Sequence, residues 1–146
     1  LMLACDLVIA ADTSFYTMAY CSIGTSPDGS STYFLPRSVG LKKAMELALL
    51  CDRFDAETAK GYGMVNWVVP KNDLAAETAK LANRLASGPT KAYGNTKRLL
   101  NNSLHSTLDD QLQAEAESFS QCAGSGDFVE GINAFVEKRK ARFKGK

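Results

Sequence analysis

The 146-residue sequence has a single histidine, a single tryptophan, four cysteines and no long apolar run. His105 lies far from Cys5, Cys21, Cys51 and Cys122, and no C-x-x-C pair is present, so no metal site is expected. The cysteines read as reduced thiols, with Cys21 and Cys51 as small core residues, in a chain of cytoplasmic type. The longest apolar runs, such as LVIAA at 7–11, are too short to cross a bilayer, so no membrane partner is expected. Seventeen Lys and Arg against sixteen Asp and Glu give a net charge of +1 and no global pull toward nucleic acid. The opening LMLACDL has no basic leader, which predicts no signal peptide. It also has no N-cap ahead of its apolar turn, so Leu1 reads as lying inside a helix whose first half precedes it.

What is present is an ordinary globular mixture, 45% apolar and 23% charged, with no repeats or low-complexity linker. Alternation and β-branching predict strands at 6–10 and 14–20, and another in MVNWVVP, ended by Pro70. From Ser30 to Val39 the chain looks helical, with Pro36 expected to keep the helix short or end it near Leu35. LKKAMELALL, 41–50, reads as an amphipathic helix with Leu41, Ala44, Met45, Ala48 and Leu49 on its buried face. Asp55 is the expected cap of a helix stopped by Gly61 and Gly63. Further helices are expected from Leu74 to Gly88, over 90–104, and over 108–122 with Thr107 as cap. A last one, capped by Asp127, runs over 128–143 with Phe128, Ile132, Phe135 and Val136 on its apolar face. The result is an α/β chain with a helical tail.

The turn SPDGSST, 26–32, gathers turn formers around one carboxylate. Asp28 reads either as a helix N-cap or as a group kept for chemistry.

The stretches LACDLVIAAD, FYTMAYCSIGTSPDGSSTYFLPRSVG, AMELALLCDRFDAETAKGYGMVNWVVP and GINAFVEKRKARFKGK together resemble the enoyl-CoA hydratase/isomerase (crotonase) superfamily. Motifs C-D-x-x-x-A, P-D-G, L-P-R-x-V-G, A-E-T-A-x-x-x-G-M-V and A-F-x-E-K-R carry the likeness in order along the chain. The resemblance implies the C-terminal part of a crotonase-like (ClpP/crotonase) α/β fold. Residues 1–70 would supply part of the core with its active-site turn, and 71–146 a helical trimerisation and CoA-covering region. The family's Gly-rich segment and its two oxyanion N–H donors would lie before Leu1, so the chain alone is expected to be inactive.

The substrate so implied is an acyl-CoA thioester, with coenzyme A as part of the substrate and no separate cofactor. Family hydratases pair two glutamates, and the second falls at Tyr20, a poor base with a pKa near 10. In isomerases of the family, including the ring-epoxide isomerase of phenylacetyl-CoA breakdown, an aspartate at the place of Asp28 shuttles a proton. In the 4-chlorobenzoyl-CoA dehalogenase it is the nucleophile. The resemblance therefore implies Asp28 as the catalytic acid/base and Tyr20, Ile23 and Pro27 along the acyl group. Phe135 and Lys138 would be CoA contacts, in a homo-oligomer, trimer or hexamer. Double-bond isomerisation is the favoured reaction. Enoyl-CoA hydration stays open, as does a non-catalytic CoA-binding or assembly module. The tail EKRKARFKGK raises nucleic-acid binding as another class, but its basic face is narrow for a polyanion.

Overall fold

The structure is a computed structural model that describes residues 1–146. The chain forms two compact units, Leu1–Ala79 and Lys80–Lys146.

In the first unit, β1 (Ile9–Ala11) pairs in parallel with β4 (Trp67–Val69), Ile9 opposite Trp67 and Ala11 opposite Val69. A parallel pair requires a long crossover, and here three helices supply it. Residues 6–8 do not join the strand expected there, since the ladder begins only where Trp67 is available as a partner. β2 (Phe15–Tyr16) pairs antiparallel with β3 (Phe54–Asp55) and stops after two residues, well short of the strand expected at 14–20. In this register Thr17 would next face Arg53, which lies before β3, and the Thr17 hydroxyl donates instead to the Cys51 carbonyl at 2.9 Å. Asp55 ends β3 and caps α3 (Ala56–Gly61), its carboxylate accepting from the Thr58 N–H at 2.8 Å.

The helix α1 (Ser31–Val39) fills the stretch that looks helical and continues through Pro36, where a break near Leu35 is expected. Proline forfeits one backbone bond, but Leu35 beside it is only 2% exposed, and Val39 one turn on packs against the same core. That packing outweighs the local penalty. Gly40, at φ 76° and ψ 158°, then joins α1 directly to α2 (Leu41–Leu50), a backbone state that favours glycine.

The buried edge of α2 is Ala44 and Leu47. Leu41, Met45 and Leu49, expected to face the core, are 63%, 52% and 65% exposed. The helix rests on its small-residue edge and leaves its i, i+4, i+8 apolar stripe open. The core proper joins Ala10, Leu35, Ala44, Leu47, Ala56, Ala59, Met64 and Val65. Helix α4 (Leu74–Ala86) buries no residue fully, and the division between units falls within it.

The second unit holds α5 (Thr90–Ser103), α6 (Leu108–Ala123) and α7 (Gly126–Val136). Thr107 caps α6 as expected, its hydroxyl accepting from the Asp110 N–H. The cap of α7 is Ser125, which accepts from the Phe128 N–H at 3.2 Å; Asp127 is not the cap. Asp127 is 6% exposed and accepts instead from the backbone N–H groups of Lys144 at 2.7 Å and Gly145 at 2.8 Å.

Helix α7 also ends seven residues before the expected Phe143. Lys138 adopts φ 53°, and residues 140–146 return along the helix without regular structure. Continuing the helix would have set Lys138 over Arg142 and Lys140 over Lys144, two repelling i, i+4 pairs. Folding back puts the tail against acids instead. Glu130 accepts from both terminal nitrogens of Arg139 at 2.7 and 3.0 Å, and from the Arg142 N–H at 2.7 Å.

The cysteines are also less buried than expected: Cys5 and Cys21 are exposed, Cys51 and Cys122 half-buried. The thiols at 21 and 51 sit at chain turns, Cys21 opening a 3-10 turn and Cys51 closing α2 at φ 59°. No helix is long and apolar enough to cross a membrane.

Candidate active site

The turn that carries Asp28 is assembled in steps. After β2 the chain bends into a 3-10 turn, Cys21–Ile23, ended by Gly24 at φ 76°. The Tyr20 carbonyl accepts from the Ile23 and Thr25 N–H groups at 3.1 and 3.2 Å, which pins the backbone of Tyr20. The chain next passes Pro27 and Asp28, then takes two left-handed residues, Gly29 at φ 57° and Ser30 at φ 62°, before α1 begins.

This path bears on the capping reading of Asp28. The N-cap position of α1 is Ser30, and no side-chain cap hydrogen bond is made there. Asp28 takes part in the turn through its main chain: its carbonyl accepts from the Ser31 N–H at 3.1 Å and the Ser31 hydroxyl at 2.6 Å. Its carboxylate is left for another partner. The Tyr20 hydroxyl donates to Asp28 Oδ1 at 2.8 Å, so two residues eight apart in sequence meet side chain to side chain. The phenol is held above its ordinary value of 10.0, first by that hydrogen bond and then by its partial desolvation. A phenol so held stays protonated near neutrality and serves as a donor.

Four of the expected site residues, Tyr20, Ile23, Pro27 and Asp28, therefore share one turn. Tyr20 and Pro27 are half-buried, Asp28 is exposed and Ile23 is 79% exposed. The residues of this turn do not enclose the carboxylate in apolar surface. Phe135 and Lys138 belong to the second unit, where they come together at the end of α7. Phe135 is 83% exposed, and the Lys138 N–H donates to its carbonyl at 3.2 Å.

Sequence reasoning did not single out Ser31, although its hydroxyl fixes the main chain of Asp28; the doubled serine of PDGSS was the only signal. Two cavities, of about 240 and 630 Å³, are lined by residues of the second unit alone, including Phe128 and Phe143 in the smaller and Leu99 and Phe119 in the larger. Neither includes a residue of the Asp28 turn. No group of three His, Cys, Asp or Glu side chains converges as metal ligands would.

Comparison with known proteins gives this turn its context. The Enoyl-CoA hydratase/isomerase family model matches residues 1–146. The chain is 40% identical to the 1,2-epoxyphenylacetyl-CoA isomerase of Escherichia coli K12 over its whole length, covering 56% of that protein. It is 34% identical to the crotonyl-CoA hydratase of Syntrophomonas wolfei, with 98% of this chain matched to 55% of that one. Its backbone superposes with a TM-score of 0.97 on a Mycobacterium abscessus crystal structure that carries an enoyl-CoA hydratase/isomerase name. That pair is 34% identical, and the match covers all of this chain and 56% of the other. The chain thus spans a little over half the length of these relatives. With the family model matched from end to end and the crotonase backbone reproduced, the chain belongs to the enoyl-CoA hydratase/isomerase family.

Proposed function

We propose that the protein acts on an acyl-CoA thioester and moves a carbon–carbon double bond, with Asp28 as the acid/base. The observation that carries this is the Asp28 carboxylate. It is free of helix capping, it accepts from a protonated phenol, and it stands where the resemblance puts the working aspartate.

A 3-enoyl thioester has an acidic C2–H beside its carbonyl. The Asp28 carboxylate removes that proton, and the electron pair spreads over C2 to C4 and the thioester oxygen as a dienolate. Asp28, now protonated, returns the proton to C4, which leaves the 2-enoyl thioester and the original carboxylate. One base suffices, and atoms and charge balance without a further reactant. Coenzyme A enters as part of the substrate. Tyr20, Ile23 and Pro27 line the acyl group, and Phe135 and Lys138 meet the CoA. Holding the thioester oxygen is assigned to none of residues 1–146.

The hydratase reading draws on the crotonyl-CoA hydratase among the relatives. It requires a second carboxylate to activate water, and the position that would supply one holds a phenol that donates to Asp28. Isomerisation is therefore preferred. The test is Asp28→Asn in the full-length natural protein that carries these residues. Conversion of 3-enoyl-CoA to 2-enoyl-CoA should fall about 10²- to 10⁴-fold. Unchanged conversion would refute the role of Asp28, and hydration of 2-enoyl-CoA as the dominant activity would favour the hydratase reading.

A further inference from the structure

We propose that Tyr20 is a positioning residue for Asp28: its hydroxyl fixes carboxylate oxygen Oδ1 and leaves Oδ2 as the atom that meets the substrate. This inference rests on the reading of Asp28 as the acid/base and assigns Tyr20 a role beyond lining the acyl group.

The geometry supports it at both ends of the contact. The Tyr20 backbone is pinned by two N–H donors to its carbonyl, and the Asp28 backbone is pinned by the N–H and hydroxyl of Ser31. The 2.8 Å bond therefore joins two anchored residues and sets the rotation of the carboxylate. An Asp side chain in an open turn otherwise samples several rotamers, and only some would present an oxygen to a carbon acid. In the exposed turn, water competes for the contact; an acyl chain laid over it removes that water and strengthens the bond. A carboxylate at position 20 could not act this way, since it would repel Asp28. The aromatic ring alone cannot do it either, because it has no donor.

The discriminating variant is Tyr20→Phe in the full-length protein. It keeps the ring and removes only the donor. The expected result is a kcat for double-bond transfer lower by about 10- to 100-fold, the scale of a misplaced reacting group, with KM changed less than about twofold. A second readout needs no turnover. In isotope-labelled tyrosine NMR, the resonance absent from Tyr20→Phe should titrate above the ordinary phenol range in the wild type. It should move down in Asp28→Asn.

Wild-type kcat in Tyr20→Phe, with Asp28→Asn inactive, would overturn the inference and leave the reading of Asp28 standing. Full activity in Asp28→Asn would overturn that reading itself, even with the Tyr20 titration coupled to Asp28. A raised KM with unchanged kcat in Tyr20→Phe would make Tyr20 a binding residue and likewise overturn the positioning role.

Discussion

Replacing Asp127 tests the tail most directly, because a strap and a cap at this residue would predict different damage. Its carboxylate holds two backbone N–H groups, at Lys144 and Gly145, and is almost fully buried. In Asp127→Asn, one amide oxygen can keep one of those donors, while the amide NH₂ faces the other. A hydrogen bond to a charged group contributes about 1.5–3 kcal/mol, so the loss to tail anchoring should be of that size. At 1.36 kcal/mol per decade, the Lys144 and Gly145 amides should exchange about 10- to 150-fold faster, measured by NMR. Asp127→Ala removes both bonds and should release the tail further.

The Glu130 clamp on Arg142 is untouched by either change, so the Arg142 amide is the internal reference. A capping role for Asp127 predicts the opposite pattern, with faster exchange at Phe128 and Val129 in the first turn of α7 and a quiet tail. Ser125→Ala should give that second pattern, since Ser125 makes the cap, at a cost of about 1 kcal/mol. Fraying of α7 with unchanged Lys144 and Gly145 amides in Asp127→Asn would refute the strap.

The second clamp is pH-dependent. Hydrogen bonds from Arg139 and then from the Arg142 N–H depress Glu130 from 4.5 to about 2. Its contribution to tail anchoring is therefore complete above pH 4.5 and lost as pH falls toward 2, which an amide-exchange series at Arg142 would follow. Lys138 sits at φ 53°, just past the end of α7, where glycine is cheaper. Lys138→Gly should raise stability by up to about 1 kcal/mol in urea unfolding while weakening retention on immobilised CoA. Unchanged retention would remove Lys138 from the CoA contacts.

Local signals that act within a few residues were legible. Asp55 and Thr107 cap the helices their spacing announced, and Pro70 ends β4. What was not legible depends on a partner distant in sequence. Strand β2 is short because its partner β3, some forty residues away, supplies only Phe54 and Asp55. Helix α1 survives Pro36 because Leu35 is buried. The stripe Leu41, Met45 and Leu49 has the spacing of a core face yet stays open, as periodicity says which residues share a side and not what covers it. Likewise the acidic partners of the tail, Asp127 and Glu130, look like ordinary surface residues of a helix start until the chain folds back onto them.

The Asp28 turn shows the same dependence on geometry. An aspartate placed before a helix would ordinarily spend its carboxylate on the first free N–H groups. Here the left-handed steps at Gly29 and Ser30 rotate the chain so that the Asp28 carbonyl meets Ser31. The main chain thus takes over the turn-forming bond. Ser30 holds this conformation without glycine's freedom and makes no side-chain cap, so the local arrangement is not the cheapest available. Its effect is to leave the carboxylate uncommitted except to Tyr20. A turn selected only for stability would gain from capping by Asp28 and from glycine at position 30. That both gains are forgone at the one carboxylate of this turn supports the role proposed for Asp28.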